Sequence, residues 1–101
     1  MTLPIKYTNA ARRDLESIFL YSKQNWGLAQ ARVYSRKLRD HVRGLARNSP
    51  FSRPVADAPE ALRQTRCEKH IVVFEIQPQQ ILIVRVLHEA MDIPRHITLS
   101  D

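Results

Sequence analysis

A group of titratable and basic side chains in the last third of the chain is the first candidate for chemistry. His88 directly follows an apolar segment, and imidazole is the side chain that changes charge near neutral pH. Strands before it can bring further polar residues close: His70, Glu68, Arg66 and Arg63. Such a set could cleave RNA, with arginine stabilising a phosphorane and histidine or glutamate moving protons. The simpler explanation is a histidine that hydrogen-bonds the turn behind it, so catalysis by His88, Arg66 and Arg63 is the less favoured hypothesis.

Other catalytic and metal-binding patterns are absent from the sequence. It contains no Ser-His-Asp arrangement, no glycine-rich phosphate loop and no metal signature. Cys67 is the single cysteine, so the chain cannot form an internal disulfide, and the Cys/His spacings of zinc sites do not occur. We therefore expect neither a metal nor a cofactor.

A ridge of arginines is the second candidate. Residues 1–50 contain ten Lys/Arg against three Asp/Glu, so the excess behind the formal net charge of +6 lies in this half. Five arginines step by four, three, four and four residues, which stacks them along one side of a helix: Arg32, Arg36, Arg39, Arg43 and Arg47. A solvated helix face is the simpler explanation. The alternative is a binding surface, because guanidinium groups grip carboxylates and phosphates in a forked geometry.

The pattern of apolar residues predicts the elements that position these groups. Thr8 or Asn9 caps the first helix, and Gly27 ends it as a left-handed cap. Val- and Ile-rich runs flank a break too short for anything but an antiparallel hairpin. The expected elements are a strand at 3–7, helices at 10–26 and 28–47, a loop at 48–60, strands at 62–69, 71–77 and 81–87, and a short C-terminal tail.

Within the first helix, one face is expected to be buried, formed by Ala11, Leu15, Ile18, Ser22 and Trp26. The buried stripe of the second helix is expected to comprise Ala31, Tyr34, Leu38, Val42 and Leu45.

The expected fold is a single α+β domain over residues 1–101, with the order β-α-α-β-β-β. The economical packing places the helix hairpin on one face of a small antiparallel sheet. If Phe74 pairs near Val84, the helices meet the face that carries Val72, Phe74, Ile76, Leu82, Val84 and Val86. The outer face then shows Ile71, Val73, Glu75, Ile83, Arg85 and Leu87, which is too apolar to be left in water. Either a partner or the tail after Met91 is expected to cover it.

The location follows from two further features. The sequence has no apolar run long enough to span a membrane, and its first residues lack the apolar stretch of a secretory signal. Together with the single cysteine, these features lead us to expect a cytoplasmic protein without membrane contact.

Several short motifs, in this order and spacing, make the chain similar to ParE toxins of the RelE/ParE superfamily from bacterial type II toxin–antitoxin pairs. The resemblance covers nearly the whole chain. It rests on Ala11-x-x-Asp14-Leu15-x-x-Ile18-x-x-Tyr21, Gly27-x-x-x-Ala31, Leu45 followed by Pro50, Leu62-Arg63, His70-Ile71-Val72-Val73-Phe74 and, most specifically, Arg85-Val86-Leu87-His88-x-x-Met91-Asp92.

The resemblance implies a bacterial cytoplasmic toxin held inactive by a cognate acidic ParD-like antitoxin. ParE-like toxins are associated with inhibition of DNA gyrase and so of DNA replication, with DNA contacted only indirectly through antitoxin or gyrase. RelE-like members instead cut mRNA on the ribosome, often with a tyrosine near the C-terminus. The last tyrosine here is Tyr34, which favours the gyrase branch and a toxin that is not an enzyme. A ribosome-dependent endoribonuclease is the alternative, and a simple nucleic-acid-binding module is a third hypothesis.

The expected antitoxin-binding surface combines the arginine ridge with apolar and basic residues on the first helix and on the last strand. The residues predicted for it are Leu20, Tyr21, Arg32, Arg36, Arg39, Arg43, Ile83 and Arg85.

Overall fold

The computed structural model describes residues 3–45, 53–54 and 62–89. The elements are β1 (Ile5–Tyr7), α1 (Asn9–Trp26), α2 (Leu28–Leu45), β2 (Arg53–Pro54), β3 (Leu62–Cys67), β4 (His70–Ile76) and β5 (Ile81–His88). The two consecutive helices pack against a sheet whose strand order is β1-β5-β4-β3-β2.

The predicted α+β architecture is confirmed, with two differences in the sheet. β1 pairs with β5 in parallel, so the sheet is mixed. The two residues of β2 pair with β3 inside the segment that was predicted to be a loop. The other neighbours, β3 with β4 and β4 with β5, are antiparallel as expected. No helix of the described residues is both long and apolar enough to cross a bilayer.

Thr8 begins α1 and also ties it to the sheet. Its hydroxyl oxygen accepts a hydrogen bond from the Ala11 N–H at 3.0 Å, which satisfies one of the free N–H groups of the first turn. The same hydroxyl donates to the carbonyl oxygen of Val84 at 2.7 Å, and the Thr8 N–H donates to the carbonyl of Ile83 at 3.0 Å. The helix cap is therefore also a joint between α1 and β5.

Gly27 alone connects the two helices. Its N–H donates to the carbonyl of Lys23 at 3.0 Å, and its φ of 89° lies where residues with a Cβ are strained. Its ψ of 163° is extended, so the predicted left-handed helical cap is wrong in detail, although the need for glycine stands. The second helix follows directly, which makes the predicted helix hairpin.

The main core lies between the hairpin and one face of the sheet. The helices contribute Ala11, Val42 and Leu45, and the sheet contributes Val72, Phe74, Ile81, Ile83 and Val86, all nearly inaccessible to solvent. In α2, Ala31 and Leu38 are also buried, as the apolar stripe predicted, and Tyr34 is half-buried. Trp26 departs from the prediction because it is 68% exposed at the end of α1, where the helix borders an open groove.

A bulge in β5 changes which side chains face the helices. Phe74 pairs with Ile83 while Val73 pairs with Arg85, so Val84 is an extra residue in its strand. Side chains alternate between the faces of a strand, and a shift of one residue exchanges them. The prediction that Ile83 lies on the outer face is therefore wrong, since Ile83 is completely buried against the helices. Val84, predicted to face the helices, belongs to the outer side.

The outer face of the sheet is not an apolar patch left in water. Leu62, Val73 and Val84 form a second buried cluster there, between 0% and 3% exposed, with Ile71 and Leu82 packed against it. The predicted tail after Met91, one of the two expected covers for this face, lies outside the described residues.

Asp14 completes the edge of β5 that β1 leaves uncovered. β1 pairs only with Ile81, Leu82 and Ile83, so the strand beyond needs other partners. The Asp14 Oδ2 atom accepts the Val86 N–H at 2.9 Å and the Arg85 Nε–H at 2.7 Å. The Arg85 Nη2 group donates to Oδ1 at 2.9 Å, which makes the ion pair forked. Both side chains are largely removed from solvent, at 15% and 21% exposure.

We expect Asp14→Ala to lower the free energy of unfolding by about 2–4 kcal/mol, because it removes the forked ion pair with Arg85 and the acceptor of the Val86 N–H in a largely buried place. Asp14→Asn retains an oxygen that accepts the Val86 N–H, so it should lower the free energy of unfolding by less than Asp14→Ala does. Chemical denaturation measures both. Asp40→Ala is the matched control: it removes an exposed ion pair with Arg43 and should change stability by no more than about 0.5 kcal/mol. Equal losses for Asp14→Ala and Asp40→Ala would contradict a structural role for Asp14.

Candidate functional site

An arginine-lined groove runs between the two helices. Four of the five arginines predicted to form a ridge line one cavity of about 430 Å³, together with Phe19, Ser35 and Asp40: they are Arg32, Arg36, Arg39 and Arg43. We call this cavity the arginine groove. The fifth, Arg47, lies outside the described residues. The helical spacing that suggested a ridge thus does place the other four side by side.

The electrostatics of the arginine groove favour an anionic ligand. Of the described residues that line it, Asp40 alone carries a carboxylate, and it contacts Arg43 at 3.5 Å. Arg32, Arg36 and Arg39 form no ion pair within the described part of the chain. A neighbouring cleft lined by Arg12, Glu16, Tyr7 and Leu15 shares Phe19, Ser35 and Arg39 with it. The charged surface therefore also includes apolar side chains, Phe19 and Leu15, which suits an amphipathic partner.

A second groove opens at the other side of the hairpin, next to the ends of β4 and β5. Its volume is about 770 Å³, and five rings line it: Tyr21, Trp26, Tyr34, His70 and His88. We call it the aromatic groove. The remaining lining residues are Ser17, Ile18, Ser22, Gln30, Lys37, Glu68 and Lys69.

Three of the five rings form a connected wall. The Tyr34 hydroxyl lies 2.6 Å from His70 Nδ1, and the Lys69 N–H donates to the Tyr34 hydroxyl oxygen at 3.4 Å. The rings of Tyr34 and His70 meet edge to face at 5.5 Å, as do those of His70 and His88. Since Lys69 supplies a donor to the oxygen, the hydroxyl hydrogen of Tyr34 is available for a neutral His70 ring.

Burial sets the protonation of this wall. Burial, and then the positive charge that His88 can carry, lower the pKa of His70 below its ordinary value of 6.5, against smaller opposing effects of Glu89 and Asp14. Burial likewise raises the pKa of the Tyr34 hydroxyl above 10.0. At neutral pH both groups are therefore uncharged, and His70 is a hydrogen-bond acceptor rather than a proton donor.

The structure brings together some of the predicted catalytic residues and separates others. Cys67, His70 and His88 pair across β3, β4 and β5 in one row, and Arg66 is in the next row. The Arg66 guanidinium forms an ion pair with Glu89 and donates to the carbonyl of Glu68 at 3.1 Å.

Arg63 lies apart from this row. Arg63 pairs with Phe74. It precedes Cys67 by four residues on β3, which places it about 13 Å from Cys67 along the strand. Side chains alternate between the faces of a strand, so Arg66, next to Cys67, lies on the sheet face opposite to the row of His88, and the predicted trio of His88, Arg66 and Arg63 is not assembled.

The predicted antitoxin-binding residues do not form one surface. The arginines line the arginine groove, whereas Tyr21, 63% exposed, lines the aromatic groove. Leu20 is 49% exposed and lines neither. Ile83 is fully buried, so the expectation that it contacts a partner is wrong, and Arg85 is held by Asp14. The β5 bulge moves Ile83 inward, and the uncovered edge of β5 explains why Arg85 is engaged.

Sequence reasoning missed the aromatic groove. Tyr34 was assigned to the core and Trp26 to a buried face, while Lys37 and Lys69 received no role. The available signal was the pair of large aromatic residues, Tyr21 and Trp26, close to the Gly27 turn. In the described ranges, no three His, Cys, Asp or Glu side chains are grouped as a metal site requires.

We expect the protein to lose stability as the pH falls below about 6.5. The folded state lowers the pKa of His70 and, through burial, that of His41. The unfolded chain therefore takes up protons first, so the contribution of neutral histidine is complete above pH 6.5 and decreases as the pH falls toward the folded-state pKa. Urea midpoints at about pH 7.5 and 5.5 should show the decrease.

His70→Asn is the matched variant for this measurement. It keeps an acceptor for Tyr34 but cannot titrate, so its midpoint should vary less with pH. An unchanged pH dependence in His70→Asn would contradict the assignment to His70.

Comparison with known proteins agrees with this architecture. The sequence model of the family described as ParE toxin of type II toxin-antitoxin system, parDE, matches residues 5–93. The Toxin ParE of Escherichia coli is 39% identical over 87 residues, which cover 85% of this chain and 84% of that relative.

Solved structures show the same fold at lower sequence identity. The chromosomal ParDE toxin–antitoxin system from P. aeruginosa gives a TM-score of 0.73 at 18% identity, covering 86% of this chain and 96% of that chain. The toxin–antitoxin complex RelBE2 from Mycobacterium tuberculosis gives 0.65 at 18% identity, covering 87% and 99%. These likenesses concern the fold alone. With the family match over most of its length, the chain belongs to the ParE toxin family of type II toxin–antitoxin systems.

Proposed function

We propose that this toxin inhibits DNA gyrase, and so DNA replication, by binding and without chemistry of its own, and that a cognate acidic ParD-like antitoxin neutralises it. The observation that carries the proposal is the arginine groove, where four guanidinium groups of one helix face a space that, among the described residues, is lined by a single carboxylate. Such a surface is built for an acidic protein segment.

The spacing in the arginine groove matches that of an acidic helix. The four arginines of the groove follow each other at steps of four, three and four residues along α2. Carboxylates at the same steps on a partner helix have the same axial spacing, so each can lie opposite an arginine. Phe19, which also lines the groove, gives such a helix an apolar contact beside its charges. A disordered acidic segment that folds on binding fits this mode of recognition.

The contacts of His70 and Arg66 support binding over catalysis. General acid–base chemistry needs a proton donor and a proton acceptor that are both free to reach the substrate. His70 is uncharged and engaged by Tyr34, and Arg66 is engaged by Glu89. Two of the groups that a ribonuclease would use, His70 and Arg66, are thus held by contacts within the chain.

A ribosome-dependent endoribonuclease of RelE type is the second candidate. The observation in its favour is the aromatic groove, which gathers Tyr34, His70 and His88 with Lys37 and Lys69 in a space large enough for a nucleotide. The RelBE2 complex shares the fold, and fold by itself does not determine function.

Parallel assays of supercoiling and translation test the choice between these candidates. We expect the purified toxin to inhibit gyrase supercoiling while leaving mRNA on translating ribosomes intact. Since gyrase inhibition needs no acid or base, His88→Ala and Arg66→Ala should remain inhibitory. Ribosome-dependent cleavage that His88→Ala abolishes, together with unaffected supercoiling, would replace the first proposal with the second.

Charge reversal tests the antitoxin surface. We expect Arg36→Glu with Arg39→Glu to weaken binding of the acidic antitoxin by roughly ten- to a hundredfold, mostly at low salt, because both positions lie in the arginine groove. Lys6→Glu is the matched control, because Lys6 is exposed on β1 and lines neither groove. Calorimetric titration over a range of salt concentrations measures the difference, and equal losses for both variants would reject a specific role for the groove.

A further inference from the structure

We infer that the aromatic groove is a binding site for an unpaired nucleobase of single-stranded nucleic acid, distinct from the arginine groove. The inference goes beyond gyrase inhibition and does not rest on it. Two exposed rings, Trp26 at 68% and Tyr21 at 63% exposure, border the same cavity. Exposed aromatic side chains at the mouth of a cavity are stacking platforms for bases, because every base presents a π-face.

The groove is already formed without a ligand. The Tyr34–His70–His88 wall is held by the 2.6 Å contact between Tyr34 and His70 and by two edge-to-face contacts. A preformed wall lowers the entropy cost of binding. The volume of about 770 Å³ lies within the range of sites for small-molecule-sized ligands.

The polar groups of the groove suit a nucleotide. Ser17, Ser22 and Gln30 line it and carry both donors and acceptors, as the edge of a base requires. Among the described residues that line the groove, two lysines, Lys37 and Lys69, accompany a single carboxylate, that of Glu68, which contacts Lys37 at 3.6 Å. Lys69 therefore adds positive charge at the groove, where the phosphates next to a stacked base would pass.

The geometry of α2 separates this site from the arginine groove. Tyr34 and Arg36 are two residues apart, which turns their side chains by about 200° around the helix axis. The two grooves thus lie on opposite sides of α2. A ligand in one leaves the other open, so their occupants can be tested independently.

Trp26 provides a direct test, because it is the single tryptophan of the chain and lies in the groove. A short oligothymidylate should quench its fluorescence saturably, while an oligonucleotide of the same length without bases should bind at least about tenfold more weakly. An oligoribonucleotide of matching sequence shows whether DNA or RNA is preferred, and base-dependent quenching by either supports the site.

Variants locate the binding. Tyr21→Ala and Lys69→Gln should each weaken binding of labelled oligothymidylate by roughly five- to tenfold, measured by anisotropy. Tyr21 is exposed, so its replacement should leave the fold intact, which circular dichroism verifies. Arg36→Ala is the matched control in the arginine groove, and it should leave the base-dependent part of the binding unchanged.

Three outcomes would overturn the inference. The first is equal binding of the base-free oligonucleotide, which reduces the interaction to phosphate contacts. The second is full binding by Tyr21→Ala. The third is quenching by an acidic peptide and by neither oligonucleotide, which assigns the groove to a protein partner.

Discussion

The contact of Asp14 with Arg85 and the Val86 N–H is the constraint on which the rest of the structure depends. β1 pairs with only the first three residues of β5, so the remaining edge would expose unsatisfied backbone groups. Thr8 and Asp14, both near the start of α1, occupy that edge instead. The Asp14 carboxylate accepts the Val86 N–H and forms the forked ion pair with Arg85 at the same time, and these contacts fix α1 against the sheet. Gly27 connects α1 directly to α2, so the position of α1 also sets that of α2. Both grooves are lined by these two helices, and their positions therefore depend on the contact made by Asp14.

The architecture was predictable because it follows from local patterns. The apolar spacing of α1 and α2, the glycine between them and the short break before Ile81 define a hairpin of helices and a hairpin of strands, with few ways to pack. The bulge at Val84 was not predictable, since nothing in an apolar run such as Ile81–Leu87 marks the residue without a partner. One added residue moved Ile83 from the predicted surface into the core. The parallel pairing of β1 likewise depends on contacts distant in sequence.

The two grooves likewise differ in how far local sequence patterns predict them. The arginine groove is drawn almost entirely from one helix, so helical periodicity alone predicted that its four arginines stand together. The aromatic groove combines both helices, the turn at Glu68 and Lys69, and the facing ends of β4 and β5. Its assembly depends on the angle between hairpin and sheet, which no local pattern contains. The chemistry of His88 marked it as a candidate, but Tyr34 and Trp26, which line the same groove, were predicted to lie on buried faces.

The position of the grooves constrains how a partner can act on both. An acidic helix lying along Arg32, Arg36 and Arg39 occupies one side of α2 and leaves the rings on the other side accessible. A partner that blocks the aromatic groove as well must continue around the hairpin tip, past Gly27 and the exposed Trp26. A rigid globular domain cannot follow that path, whereas a segment that is disordered until it binds can. If the proposed antitoxin covers both grooves, the arrangement of charge and rings on this small domain therefore favours a long, flexible and acidic segment.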